Sequence, residues 1–150
     1  MKILENNDCK SLLQENYWGH IAYIDGDKPF IIPTTYYYDL IKNTIIAYSA
    51  PGHKIDSFRV RSKVCLQIDQ VNSINNWKSV LVHGKFEELY GAEAKYELHN
   101  FATGVKAIIN QKENRDLRFI SEFSSNIYSK GITIVYRIII QDITGRQMDA

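Results

Sequence analysis

Short runs of apolar, aromatic and β-branched residues, broken by Asp, Asn and Gly, dominate the chain. They predict strands over residues 17–23, 30–38, 44–49, 64–69, 78–89 and 132–143. Turns separate them at Asp25-Gly26-Asp27-Lys28, at residues 39–43 and in a polar loop over 72–76. Pro33 interrupts the second strand; it has no amide donor and so predicts a sheet edge or a bulge. The last strand is expected to close at Thr144-Gly145-Arg146. Three segments follow a helical period instead. Residues 9–16 suit a short helix capped by Asp8, with Leu12 and Leu13 inward. After Gly52, which permits a sharp turn, Ile55, Phe58 and Val60 suit the inner side of a short amphipathic helix, with Arg59, Arg61 and Lys63 outside. Residues 92–110 suit a longer one, with Ala92, Tyr96, His99 and Thr103 along one face. Residues 111–130 are polar and carry no readable period.

Strands that follow one another through short turns pair antiparallel. The economical architecture is mainly β with peripheral helices: a six-stranded antiparallel barrel, closed or nearly so, with helices at its rim, because closure removes exposed edges. Regular strand-helix alternation is missing, which argues against a doubly wound parallel sheet. A length of 150 residues suits one domain, 1–150, with one core.

Composition narrows the function classes. Hydrophobic residues at 45% and charged residues at 23% match a soluble globular protein. A formal net charge of +1 argues against a nucleic-acid or membrane-surface binder. The polar N-terminus lacks the apolar core of a signal peptide, and the apolar stretch near residues 132–140 is too short to span a bilayer, so a cytoplasmic location is expected. Cys9 and Cys65 form no CxxC pair, which leaves no zinc ribbon or dithiol motif.

No phosphate-binding P-loop, GxGxxG or GxSxG motif occurs. His20, His53, His83 and His99 never recur at metal-ligand spacing, so no metal site is expected. The stretch from Tyr48 to Lys54, YSAPGHK, is different. A strand ends at Ser49, a glycine turn follows, and His53 and Lys54 open a helix. Amide groups at a helix start carry partial positive charge. With Ser49, His53 and Lys54 they would suit a dianionic phosphate. A plain helix start with two solvated cations fits the same residues. The strand interrupted at Pro33 offers unpaired backbone groups to a flat heteroaromatic ring, or is simply an edge.

These segments, in this order, resemble the FMN-binding split-barrel family related to pyridoxamine 5'-phosphate oxidase, and within it the nitroimidazole-resistance (Nim) type flavoproteins. The matching residues are Gly19-His20-Ile21-Ala22, the run from Pro29 to Tyr38, Tyr48 to Lys54, Val64-Cys65, Trp77 to Gly84, Tyr136-Arg137-Ile138 and Ile143-Thr144-Gly145. The resemblance spans roughly residues 10–146.

It implies a six-stranded split barrel, and a homodimer with FMN sites at the subunit interface. Lys54 and His53 would hold the flavin phosphate, with Tyr48, Ser49 and the Gly52 turn beside them. Backbone groups of Ile32, Pro33, Thr34 and Thr35 would line the ring, and Ser79 matches a polar position near the cofactor. The oxidase itself has Arg-Lys where this chain has His53-Lys54 and Arg-Gln where it has Lys78-Ser79, and it carries a C-terminal substrate-binding arginine segment with no counterpart here. The implied activity is therefore reduction of small aromatic or nitro compounds, with a nicotinamide as the donor, rather than vitamin B6 oxidation. A flavin carrier or sensor, a relative binding haem or deazaflavin, and an aromatic barrel for single-stranded nucleic acid are the competing readings. Roles for His20, His53 and His83 in chemistry stay open.

Overall fold

The computed structural model describes residues 1–113 and 133–149. Among them, eight strands and three helices follow the order β1 (Lys2–Ile3), α1 (Asn6–Glu15), β2 (Trp18–Asp25), β3 (Lys28–Thr35), β4 (Tyr37–Asp39), β5 (Thr44–Ser49), α2 (His53–Val60), β6 (Lys63–Ser73), β7 (Asn76–Leu89), α3 (Gly91–Glu113) and β8 (Ile134–Met148). The patternless stretch over residues 111–130 lies almost wholly outside the described residues.

All pairings are antiparallel, and the hydrogen-bonded order is β3-β2-β6-β7-β8-β5-β4, with β1 on β8. Among the described residues the ladder does not close. Its two ends, β3 and β4, are consecutive in the chain, so the barrel is split between them. The cause is Tyr36, which breaks the single strand expected over residues 30–38. Its ring is fully buried, its N–H donates to the Tyr17 carbonyl (2.9 Å) and its hydroxyl to the Leu13 carbonyl (2.8 Å). Before it the chain pairs with β2, and after it with β5. That break, together with β1, turns the expected six strands into eight.

Pro33 lies on the end strand β3, facing His20 of β2, where no further ladder needs its missing donor. The β2–β3 hairpin turns through Gly26-Asp27, with Gly26 at φ +66°, a left-handed conformation that glycine adopts without steric cost. Other boundaries move. Helix α1 begins before Asp8: Glu5 occupies the cap position without a side-chain cap, and Asp8 sits in the first turn, where its charge favours the helix dipole. The loop expected over 72–76 shrinks to Ile74-Asn75, because β6 and β7 continue pairing to Ser73 and Asn76. Strand β8 runs through Gly145 to Met148, because β7 supplies partners as far as Trp77.

The sheet's inner face holds the main core, including Ile21, Leu66, Val82, Phe86 and Tyr136, closed by Leu12 and Leu13 of α1 and Ile55 and Phe58 of α2. Val60, expected inward, is 83% exposed. It follows Phe58 by two positions, which is about 200° around a helix and so faces away. Helix α3 covers Ile46, Leu89 and Val135 with Leu98, Phe101, Ala102, Val105 and Ile109. The face shared by Ala92, Tyr96, His99 and Thr103 is its exposed side. The buried Glu97 of α3 accepts from Lys42 Nζ at 2.8 Å, tying the helix to the β4–β5 turn.

A bulge lets β7 and β8 change register: His83 faces Asp142, but Gly84 faces Ile140. A Cβ on Gly84 would lie 2.5 Å from the Ile139 carbonyl oxygen and 2.6 Å from Ile138 Cγ2. Gly84→Ala is expected to destabilise the fold by about 1–3 kcal/mol, as overpacked cores do, measured as a lower urea midpoint at unchanged slope. Among the described residues, no helix is long and apolar enough to cross a membrane.

Candidate functional site

The corner between β5 and α2 is an uncapped helix start. Among the described residues no side chain caps the first amides of α2, and the first amide bonded back into the helix is Asp56 N–H to the Gly52 carbonyl, at 3.1 Å. The amides before it have no helical acceptor and carry the positive end of the helix dipole. The chain bends at Pro51-Gly52 as expected, with Gly52 itself extended (φ 170°, ψ −171°), so the bend does not use glycine's left-handed conformation. A Cβ there would meet nothing within 4 Å among the described residues.

Lys54 is half-buried, and desolvation pushes its ammonium below the usual lysine range. No ion pair or hydrogen bond to it occurs among the described residues. A desolvated cation without a counter-charge is costly in isolation and favours an anion nearby.

His53 is engaged instead. Its Nε2 lies 2.8 Å from Asp25 Oδ2 and its Nδ1 lies 2.9 Å from the Tyr23 hydroxyl. A carboxylate only accepts, so Nε2 carries the proton. Burial, with the Asp25 charge adding to it, pushes the Tyr23 phenol up, so the hydroxyl stays protonated and can donate to Nδ1. Phe30 stacks on Tyr23 at 5.3 Å and meets the His53 ring edge-on at 4.9 Å. Arg61, just beyond the other end of α2, donates to the Gly26 carbonyl at 2.8 Å. Both ends of the helix therefore grip the β2–β3 hairpin tip.

The remaining expected residues divide between places. Ser49 is buried beside the corner and donates to the Ala50 carbonyl at 2.7 Å. Tyr48 points to the opposite face of β5, as successive strand residues do. Its ring meets Phe101 of α3 at 5.2 Å, which removes it from the corner. On β3, Ile32 and Thr34 turn inward, with Thr34 Oγ1 bonded to the Thr35 carbonyl at 3.1 Å, while Pro33 is exposed. The outer backbone edge of β3 has no partner strand among the described residues.

Ser79 lies on the outer sheet face, accepting from Gln67 Nε2 at 3.0 Å and opposite Arg146. It helps line a cavity of about 330 Å³ with Leu81 and Thr144. Phe86, which touches α2, is seven positions further along β7, or roughly 23 Å at strand rise. One copy does not bring Ser79 to Lys54. His20 is opposite Gln67 and Pro33, and His83 is opposite Cys65 and Asp142, both on that same outer face. Tyr23, Asp25 and Phe30 were not expected at the site. The one available signal was their alternation on the hairpin, which points Tyr23 inward at its tip.

The family profile described as pyridoxamine 5'-phosphate oxidase matches residues 5–147. The chain belongs to that family. Its eight-stranded sheet is the family's split barrel. A solved FAD-binding protein from Mesorhizobium loti superposes with a TM-score of 0.76 at 24% identity, over 99% of this chain and 97% of that one. A candidate 5-nitroimidazole antibiotic resistance protein from Bacteroides thetaiotaomicron superposes at 0.68 with 15% identity, over 96% and 85%. Both likenesses concern the fold. An uncharacterized protein from Rhizobium meliloti (strain 1021) is 34% identical over 89 residues, which are 59% of this chain and 58% of that relative.

Proposed function

We propose that this member of the oxidase family is an FMN-dependent oxidoreductase that reduces small aromatic or nitro compounds with electrons from a nicotinamide. The observation that carries the reading is Lys54: a half-buried cation at an uncapped helix start, without a partner among the described residues, beside a glycine whose Cβ position meets none of them within 4 Å. Lys54 neutralises the phosphate, and the first amides of α2 donate to it. The edge of β3 from Ile32 to Thr35, without a partner strand among the described residues, offers backbone groups to the ring. Bound flavin supplies the redox chemistry, while the chain sets binding, access and charge.

The site is shared by two copies of the chain. Ser79 is too distant to serve Lys54 within one copy but sits on an outer face with exposed apolar residues, including Trp18 (53% exposed) and Ile31 (65%). A second copy covers that face and brings the partner's Ser79 to the ring. Light scattering on the flavin-loaded protein is expected to give a dimer mass; a flavin-loaded monomer contradicts the shared site.

A fold neighbour named for FAD makes FAD the competing occupant. Apo-protein incubated with FMN or FAD and then desalted is expected to retain FMN absorbance and to accelerate nicotinamide oxidation by a nitroaromatic acceptor. Retention without turnover leaves a flavin carrier, and retention of neither flavin removes the proposal.

A further inference from the structure

The Asp25–His53 contact bears on which phosphate the corner prefers, an inference that rests on the flavin reading above. Both ring nitrogens of His53 are occupied, by Asp25 at 2.8 Å and Tyr23 at 2.9 Å, so neither is free for a ligand in this arrangement. The imidazole is further fixed by Phe30, whose ring centre lies 4.9 Å away. His53 thus pins the hairpin to the helix start, and it brings a carboxylate to the corner where Lys54 waits.

We infer that Asp25 is a specificity-determining residue: its charge beside the phosphate corner lowers the affinity for a dianionic phosphate monoester relative to a neutral flavin. A phosphate monoester carries close to two negative charges at neutral pH. In a partly wet site that repulsion changes binding roughly three- to fivefold. Other charges at the hairpin tip do not cancel this cleanly. Asp27 is exposed, and the Lys28 ammonium lies over the Phe30 ring, 5.9 Å from its centre. Arg61 is bonded to the Gly26 carbonyl.

Asp25→Asn separates this role from a structural one. The asparagine carbonyl still accepts from His53 Nε2, so the pin is retained while the charge is removed. FMN and riboflavin share a ring and differ in the phosphate, so the ratio of their dissociation constants isolates the phosphate contribution. At low ionic strength, fluorescence titration is expected to show FMN affinity rising three- to fivefold in Asp25→Asn, with riboflavin affinity unchanged. The gain should shrink in about 1 M salt, where the Debye length falls to about 3 Å. A residue that merely held His53 in place for the phosphate would give a weaker FMN complex on substitution. An unchanged or reduced FMN-to-riboflavin preference in the variant overturns the inference. An FMN-to-riboflavin preference that is the same in Lys54→Met as in wild type overturns the phosphate corner itself, so the two failures are distinct.

Discussion

Lys54→Met is expected to weaken FMN binding by about ten- to a hundredfold while stabilising the flavin-free protein. The first half follows from the loss of a charge-assisted bond, worth about 1.5–3 kcal/mol, with each 1.4 kcal/mol a factor of ten. The second half follows from burial. Desolvation lowers the Lys54 pKa in the folded protein, so the native state binds this proton less tightly than the unfolded chain does. Between that lowered value and the ordinary lysine value of 10.5, the unfolded chain holds more protons, and stability rises with pH. Below that window the full cost of burying the ammonium is present. Methionine fills similar volume without charge, so the variant should gain roughly 0.5–2 kcal/mol, as removal of a functional but destabilising group does. It should also lose the alkaline rise. Bound phosphate reverses the sign at wild-type Lys54, because the anion favours the charged form. Urea denaturation with and without FMN, across pH, reads both halves. A variant that binds FMN as tightly as wild type removes Lys54 from the site.

Phe58→Ala is expected to cost about 3–5 kcal/mol, in the range for deleting a buried aromatic ring. Phe58 is fully buried and is the point where α2 joins the barrel. Its ring meets Tyr23 edge-on at 5.2 Å, Phe86 at 5.2 Å and Tyr136 at 5.8 Å. Tyr23 in turn bonds His53, so the cavity left by the ring lies directly beneath the phosphate corner. FMN affinity should fall with stability in this variant. Phe58→Leu, which keeps most of the volume, should cost under about 1.5 kcal/mol and retain binding. Equal losses from the two substitutions would mean that the ring's shape matters beyond its volume.

The sequence revealed those parts of the fold that local chemistry controls. Pro33 pointed to an edge or a bulge, because a missing N–H is incompatible with a two-sided ladder, and the edge is what forms. Thr44–Ser49 was bounded correctly by the flanking Asn43 and Pro51 turns. Ile55 and Phe58 gave the inner side of α2 from their three-residue spacing. Tyr36 was illegible because nothing local distinguishes it from Tyr37 and Tyr38. Its hydroxyl is anchored by Leu13, 23 residues away, and that contact exists only after α1 has docked. The extension of β8 had the same origin, since its partners belong to β7.

At the site, Lys54 was legible as a cation following a glycine. Its lack of a partner was not, because desolvation is a property of the packed corner. His53 misled for the complementary reason. It looked free beside Lys54, but its partners Tyr23 and Asp25 lie on a hairpin 30 and 28 residues earlier. Tyr48 stood next to Ser49 in sequence, yet strand alternation sent it to α3.

The central claim is that the corner opened by Gly52 holds a flavin phosphate on Lys54. A crystal structure of the protein grown with excess FMN tests it most directly. The account predicts phosphate oxygens within hydrogen-bond distance of Lys54 Nζ and the first amides of α2, with the ring along the β3 edge and the partner's Ser79 facing it. Flavin bound elsewhere while Lys54 stays unpaired would contradict it.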